Sequence, residues 1–375
     1  MNKPKLKTVF FGKTKHFVPN NLNVWYVFGA LLLGALAMQY LSGLWLAFYY
    51  APSPDKAFAS IQYIMHQVHY GWLIRTIHTT CASAIFILLY LHLLRGLLYR
   101  SYRSPRQLVW YFGVLLFWLL MLESFFGILL PWGQTSYWGA TVVSNVVTAL
   151  PHGASLLTLL RGDYQISGVT LTRFYALHIV ALPILLIFLI QWHIRALHQV
   201  GSGNPGLSPI ETRSLDGSCP KQCIPFFPEQ ALKDLLALII FFILFAAVLF
   251  FKPDGFGFLM DKLNNIPANP MQTPETIRPL WYLASFYSIL RAIPNKLYGV
   301  LLLSTSVLMW LLLPLLDRLS KHKTQKLHQI LVWSWFVCWL TLTYLGLQPI
   351  TSGWVCALGG IIGLYFFLFI LTGLL

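Results

Sequence analysis

The sequence predicts an all-α integral membrane protein with eight transmembrane helices. Of its 375 residues, 57% are hydrophobic and only 10% are charged, and the mean hydropathy is +0.66, which is far from the values of soluble proteins. Eight apolar runs reach the ~17–25 residues that a helix needs to cross a bilayer. We predict these spans, in order, at about 25–50, 74–99, 108–130, 172–194, 233–251, 297–316, 330–347 and 354–375.

Lysine and arginine are distributed unequally between the loops on the two predicted sides. The amino-terminal segment and the loops after the second, fourth and sixth spans carry most of them, whereas the alternate loops carry fewer. Because loops rich in Lys and Arg stay on the cytoplasmic side, we predict that both termini lie on the cytoplasmic or matrix side. The net charge of +15 therefore reflects orientation in membrane lipid, and we predict no nucleic-acid partner.

Four histidines lie in two of these spans at nearly equal intervals. His78 and His92 are 14 residues apart in the second span, and His178 and His193 are 15 apart in the fourth. Fourteen helical residues rise about 21 Å and return to within roughly 40° of the same face. With the predicted topology, His78 and His178 pair near the outer surface, and His92 and His193 pair near the inner surface. Two imidazoles can fill both axial positions of a haem iron, so we predict two b-type haems within a bundle of the first four spans.

Two other interpretations of the histidines follow from their position in the membrane. A single histidine in a span is more often a polar packing residue or part of a proton path, so a transporter that relays protons is an alternative. Imidazoles at membrane depth are costly unless they have a function. Four histidines in two matched pairs therefore favour an electron carrier.

Glycines in the first and third spans repeat the 14-residue interval of the histidines. Gly29 and Gly43 lie in the first span, and Gly113 and Gly127 lie in the third. Glycine has no side chain, so a flat macrocycle can lie against the backbone there. Ordinary small-residue packing between helices is the alternative, but the shared interval favours haem contact.

Three arginines lie close in sequence to the histidines. Arg75 and Arg173 precede the outer histidines, and Arg95 follows His92. We predict that Arg75 and Arg95 bind haem propionates through charge-assisted hydrogen bonds, and that Arg173 is among the cofactor-binding residues. The alternative is that they extend toward the membrane surface as interfacial side chains.

The predicted domain boundary lies in the loop between the fourth and fifth spans. We predict an amino-terminal four-helix dihaem domain at 1–215 and a carboxy-terminal four-helix domain at 216–375. Cys219 and Cys223 in this loop lack companion ligands, so we predict unpaired thiols and no metal site there.

Two outer loops carry predicted structure of their own. The segment 131–171 is too polar to span and is predicted to form short helices on the outer surface. The loop 252–296 is predicted to contain a buried helical turn. Together they are expected to cover a pocket beside the outer histidines.

Besides the four histidines, the sequence contains four distinctive stretches: PWGQTSYWGATVVSNVVTALP, LTRFYALH, HQVGSGNP and LRAIPNKLYGVL. In these stretches the sequence resembles the cytochrome b family of respiratory quinol–cytochrome c reductase (complex III). The resemblance implies a low-potential outer haem, a high-potential inner haem and a homodimer. It also implies a Rieske iron–sulfur protein and a cytochrome c-type haem subunit as partners.

The resemblance further implies a Q cycle that contributes to the proton gradient of the respiratory chain. In this family a quinol of the ubiquinone type is oxidised at an outer site, and a quinone is reduced at an inner site after electron transfer through the haems. The family's inner-site residues match His198, Ser202 and Asp234 here. Tyr282 matches an outer-site residue that hydrogen-bonds quinol or the Rieske protein.

The sequence departs from the family pattern at two places. The 15-residue interval in the fourth span exceeds the usual 14, and we predict that a bulge between His178 and Pro183 absorbs the extra residue. At the outer site, the family's Pro-Glu-Trp-Tyr is replaced by a sequence with Leu280 in the glutamate position, and leucine cannot accept a proton. We hypothesise that Glu123 in the third span substitutes for that glutamate; Glu275 is the weaker candidate because it is expected to face solvent.

A dihaem membrane anchor that passes electrons between a dehydrogenase or hydrogenase and quinone is the nearest rival function. Such anchors usually have fewer spans and need no elaborate outer structure. For localisation, we predict a bacterial inner (plasma) membrane over a mitochondrial inner membrane, although a basic amino end with no import sequence fits a bacterial and an organelle-encoded gene equally.

Overall fold

Eight helices that are long and apolar enough to cross a membrane dominate the structure. The structure is a computed structural model, and it describes residues 17–205, 222–252, 262–275, 277–319, 325–349 and 352–374. The predicted number of spans is confirmed for this part of the chain. In order, the spans are Val24–Ala47, Gly71–Leu98, Gln107–Leu129, Gly168–Val200, Phe226–Phe251, Lys296–Leu319, Gln325–Gly346 and Ala357–Leu374.

Some spans consist of more than one helical segment, and short helices lie between the spans. The α-helices are Phe28–Ala47, Ala57–His66, Gly71–Leu98, Gln107–Leu129, Gln134–Asn145, Gly153–Arg161, Gly168–Ala176, Leu182–Val200, Ala231–Phe251, Ala284–Ala292, Lys296–Leu308, Leu313–Leu319, Gln325–Gly346 and Ser352–Leu374. Short 3-10 helices cover Val24–Tyr26, Val146–Ala149, Lys262–Asn265, Trp281–Leu283 and Met309–Leu312. Leu177–Ala181 and Phe226–Gln230 are π-helical.

The described residues also contain a small antiparallel sheet that the all-α prediction did not include. Strand β1 (Phe17–Pro19) pairs with strand β2 (Cys223–Pro225), with Val18 opposite Ile224. The sheet joins the segment before the first span to the segment before the fifth span, on the inner side of the predicted topology. Cys223 is buried in β2. Cys219 and the predicted 215/216 boundary lie outside the described residues.

The outer segments 131–171 and 262–292, which we call the outer roof, pack on each other. The first forms the predicted short helices, and a buried helix follows in the second. The Asn264 side-chain oxygen accepts hydrogen bonds from the backbone N–H and the hydroxyl of Ser136 at 3.0 and 2.8 Å. The Gln134 side chain donates to the Gln272 carbonyl at 3.1 Å. These contacts tie the two segments into one layer over the outer end of the bundle.

The carboxy-terminal half packs directly on the third span and on the loop before it. Indole N–H groups of Trp110 and Trp118 in the third span donate to sixth-span carbonyls, at 2.8 Å to Trp310 and 3.2 Å to Val307. Towards the inner surface, an ion pair of 2.6 Å joins Arg103 to Asp317. The two halves therefore share one apolar core, and the second half supports the bundle that carries the histidines.

Candidate haem and quinone sites

The four histidines of the second and fourth spans meet as two cross-helix pairs. The ring centroids of His78 and His178 are 6.2 Å apart, and those of His92 and His193 are 6.4 Å apart. Imidazole nitrogens bind metal ions at ~2.0–2.1 Å, so two imidazoles on opposite sides of one iron have ring centres about 6 Å apart. Both pairs therefore have the separation that one haem iron requires.

Each of the four glycines at the 14-residue interval faces one histidine ring. A Cβ atom added at these glycines would approach the imidazole Cε1 atom, from Gly43 to His78 at 2.8 Å, from Gly127 to His178 at 2.5 Å, from Gly113 to His193 at 3.3 Å and from Gly29 to His92 at 3.6 Å. Side-chain atoms do not approach below 3.0 Å without a shift of their neighbours. The glycines at the outer pair are therefore required by close packing, and those at the inner pair are less constrained.

These features fit two haem groups at different depths. Four imidazoles lie in two opposed pairs and are available as nitrogen donors, and four glycines keep the neighbouring helix faces free of side chains. Bis-imidazole ligation is a known way of holding a haem whose task is electron transfer. The donor set and the open helix faces both suit that group.

The fourth span accommodates its longer histidine interval through a π-helical turn. This turn covers Leu177–Ala181 and includes His178, and the following α-helix begins at Leu182 with Pro183 in its first turn. A π-turn inserts one extra residue into an α-helix. The predicted bulge between His178 and Pro183 is thus confirmed, and both histidines of this span still face their partners.

A carboxylate lies beside the outer pair. The Nδ1 atom of His178 is 3.0 Å from the Oε1 atom of Glu123 and 2.9 Å from the backbone oxygen of the same residue. On the other histidine of the pair, the Ser42 hydroxyl lies 3.1 Å from Nδ1 of His78. The hypothesis that Glu123 accepts a quinol proton stays a prediction, but its position beside a ligand ring is now defined.

A cation lies beside the inner pair. The Arg95 guanidinium lies over the Tyr26 ring at 3.8 Å and interacts electrostatically with both inner histidines. Its Nε atom is buried and makes no hydrogen bond within the described residues. A carboxylate such as a haem propionate would satisfy this group.

The two outer arginines differ from Arg95 in their surroundings. Arg75 is half-buried in the second span, whereas Arg173 is exposed and donates to the Leu159 carbonyl of the outer roof at 2.6 Å. Arg173 thus contacts the roof, a contact that sequence reasoning did not foresee. That Arg75 binds a propionate and that Arg173 contacts the cofactor stay predictions.

At the predicted outer quinol site, the side chain of Tyr282 is only 4% exposed. Its ring stacks on Phe86 with centroids 3.8 Å apart, and its backbone oxygen accepts a hydrogen bond from Tyr90 at 2.5 Å. Burial raises the pKa of the Tyr282 hydroxyl, although a hydrogen bond with Ser124 opposes this, so the group remains a donor. Leu280 packs half-buried against the same apolar core.

The predicted inner quinone residues lie at the inner ends of the fourth and fifth spans. His198 is exposed in the last turn of the helix that ends at Val200, and Asp234 is in the first turn of the helix that begins at Ala231. The Gln230 amide donates to Asp234 at 2.9 Å. The Ser202 carbonyl lies 3.4 Å from the Arg106 guanidinium. That His198, Ser202 and Asp234 surround one quinone stays a prediction.

Sequence reasoning missed two residues near these sites. Ser42 directly precedes Gly43 and lies 3.1 Å from Nδ1 of His78, a contact that the helix period does not predict because adjacent helical residues do not share a face. No role at these sites was predicted for Arg106, yet its guanidinium approaches the backbone of Gly201 and Ser202. Its contact depends on the path of the loop after the fourth span, which carries no local sequence signal.

Eight spans enclosing two stacked histidine pairs define a membrane cytochrome of the b type. Comparison with protein families agrees, because the model described as cytochrome b/b6/petB matches residues 13–201 and the one described as cytochrome b (C-terminal)/b6/petD matches residues 267–367. The chain therefore belongs to the cytochrome b family, whose members are the membrane-embedded subunit of quinol–cytochrome c oxidoreductase.

Individual relatives extend over most of the chain. Cytochrome b of Allochromatium vinosum is 44% identical over 349 residues, which cover 90% of this chain and 84% of the relative. The cytochrome b/c1 protein of Bradyrhizobium diazoefficiens is 42% identical over 88% of this chain and 47% of its own, so this chain spans about half of that protein. A chain of a hyperthermophilic respiratory complex III superposes with a TM-score of 0.87 at 33% identity, covering 97% of this chain and 93% of that chain.

Proposed function

We propose that this protein is a dihaem cytochrome b that oxidises quinol at an outer site and reduces quinone at an inner site of a respiratory complex III. The observation that carries the proposal is the pair of opposed imidazoles at each of two depths, with a glycine facing every ring. A carrier at each depth provides a route for electrons across the membrane.

His78 and His178 would hold the outer haem, and His92 and His193 would hold the inner haem. Each haem would supply reversible one-electron transfer and, held by two imidazoles, would not bind oxygen. Gly29, Gly43, Gly113 and Gly127 leave room for the two macrocycles. The propionates would be bound by Arg75 and Arg95, and Arg173 would contact the cofactor.

At the quinone sites, this chain's residues bind and orient the quinone and exchange protons with it. Near the inner surface, His198, Ser202 and Asp234 offer hydrogen-bonding groups to a ubiquinone-type quinone. On the outer side, the Tyr282 hydroxyl serves as a donor, and Leu280 excludes a carboxylate from the position where the family has one. Glu123 is the candidate for the missing acceptor.

The partners that we propose are a Rieske iron–sulfur protein, a cytochrome c-type haem subunit and a second copy of this chain. Similarity to a complex III chain supports assembly with such subunits, and the relative named cytochrome b/c1 is consistent with a c-type partner. We propose a bacterial inner membrane as the location, with both termini on the cytoplasmic side. The outer roof, which a simple dihaem anchor does not need, supports this function over the anchor.

Spectroscopy of the purified complex tests the proposal. We expect two haem b per chain, with separate midpoint potentials, and quinol–cytochrome c reductase activity. A preparation without b-type haem absorbance would contradict the proposal and favour a proton-relaying transporter. One that binds haem but copurifies with a dehydrogenase and lacks the Rieske protein would favour the dihaem anchor.

A further inference from the structure

We propose that Glu123 is a positioning residue for His178, which fixes the tautomer of this ligand and lowers the reduction potential of the outer haem. The inference rests on the proposed function, since it concerns the haem that His178 would bind. Its basis is the contact between the Glu123 carboxylate and Nδ1 of His178 at 3.0 Å.

The hydrogen bonding of His178 determines which ring nitrogen is left for the metal. Nδ1 faces two acceptors of one residue, the Oε1 atom and the backbone oxygen of Glu123. Acceptors cannot donate, so Nδ1 carries the proton and Nε2 keeps the lone pair that a metal requires. Glu123 thus presents His178 in the tautomer that binds iron through Nε2.

The third span holds this contact rigidly. Glu123 lies four residues before Gly127, and residues at this spacing lie on the same helix face. Gly127 contacts the His178 ring closely enough that a Cβ atom there would be 2.5 Å from Cε1. The side chains of Glu123 and His178 are only 17% and 12% exposed. Two adjacent turns of one helix therefore define both the position and the orientation of the ring.

The charge of the carboxylate has a consequence for the iron. A ligating histidine that donates its second N–H to a carboxylate becomes a more basic ligand, and nearby charge acts strongly where the dielectric constant is low. Both effects stabilise the ferric state over the ferrous state, so they lower the reduction potential. The other outer histidine, His78, is contacted by neutral groups, namely the Ser42 hydroxyl at Nδ1 and the Gln39 side-chain amide 3.3 Å from Nε2.

The inner pair lies in the opposite electrostatic environment. Arg95 interacts with both His92 and His193, and a nearby cation stabilises the ferrous state. Because arginines are proposed to bind propionates at both haems, the difference that matters here is the Glu123 carboxylate beside the outer pair, which favours electron transfer from the outer to the inner position. Glu123 therefore gives this chain a driving force across the membrane that does not require it to accept a quinol proton.

Redox titration of the full complex tests the inference, with Glu123→Gln, Glu123→Asp and Asp163→Asn as variants. Glu123→Gln retains an oxygen acceptor but removes the charge. At a fixed ambient potential, we expect the ferrous-to-ferric ratio of its outer haem to rise about tenfold, equivalent to ~59 mV for a one-electron couple. The inner haem is the internal control and should titrate as in the parent protein.

Asp163→Asn is the matched control, because Asp163 is an exposed carboxylate on the outer roof. It should leave both potentials unchanged. An outer haem that titrates identically in Glu123→Gln and the parent would overturn the inference, as would an equal shift in Asp163→Asn. If Glu123→Gln loses the outer haem, the Glu123→Asp variant is titrated in its place. An outer-haem potential equal to that of the parent protein supports the role of the carboxylate charge, and a raised outer-haem potential contradicts this role. Absence of haem from the parent protein would instead contradict the proposed function.

Discussion

The outer and inner halves of the four-helix bundle have the same architecture but different tolerances and charges. Their ring separations differ by little, at 6.2 and 6.4 Å. The outer glycines lie against their histidines so closely that a methyl group would collide, whereas the inner glycines leave more space. Glu123 lies beside the outer pair, and Arg95 lies beside the inner pair. The difference teaches that a repeated scaffold can place two matching histidine pairs in unlike environments.

Removal of one ligand from each pair gives the largest expected effect. His178→Asn should eliminate the outer haem, and His193→Asn should eliminate the inner haem, because each leaves one axial ligand missing. Haem quantification and redox titration of the purified complexes should show one remaining b-type centre per chain in each variant, with quinol–cytochrome c turnover abolished in both. Retention of two normally titrating centres in either variant would refute the assignment of that ligand.

Alanine substitutions at the glycines test the difference in tolerance between the halves. Gly127→Ala places a Cβ atom 2.5 Å from His178, whereas Gly29→Ala places one at an ordinary 3.6 Å from His92. Overpacking of a rigid site typically costs about 1–3 kcal/mol, so we expect Gly127→Ala to lower outer haem occupancy and thermal stability. The matched variant Gly29→Ala should change little. Equal effects in the two variants would show that the outer site is not the tighter one.

Neutralisation of Arg95, the cation beside the inner pair, should reduce the electrostatic difference between the outer and inner pairs. In Arg95→Gln, the ferrous inner haem loses a stabilising charge, so its midpoint potential should fall by up to about 59 mV, a tenfold change in the redox ratio. Arg318→Gln is the control, because Arg318 is an exposed inner-side arginine bonded to Gln107. An unchanged inner potential in Arg95→Gln would show that this charge does not distinguish the halves.

The smallest expected effect concerns the neutral hydrogen bond on the outer pair. Ser42→Ala removes the hydroxyl at Nδ1 of His78, a group without net charge, and a neutral hydrogen bond contributes about 0.5–1.5 kcal/mol. The outer potential should therefore shift less than in Glu123→Gln, and the haem should remain bound. A shift as large as that of Glu123→Gln would show that hydrogen bonding, and not charge, sets the potential.

The features that the sequence predicted correctly are those with a strong periodic signal. Eight apolar runs and the short helices of the outer roof were identified because length and composition determine them. Strands β1 and β2 were missed because each has three residues and pairs with a segment about 200 residues away. The helix Ala57–His66 between the first two spans was missed as well.

Within the candidate sites, the sequence predicted the position of a residue along its span better than the direction in which its side chain points. Glu123 was placed correctly near the outer end of the third span, but its contact with His178 depends on how two spans are rotated against each other. Arg173 was placed near the outer pair, yet its side chain donates to Leu159 in the roof. Side-chain direction follows from tertiary packing, which hydropathy and charge do not encode.

The π-helical turn at Leu177–Ala181 shows how a membrane helix can change length without loss of register. One added residue would rotate everything after it by about 100° in a regular α-helix, and His193 would then turn away from His92. Here the wider turn takes up the extra residue next to the outer ligand, and the inner pair keeps its 6.4 Å separation. At this turn of the fourth span, the insertion or deletion of a single codon can therefore leave the orientation of all later residues of the helix unchanged.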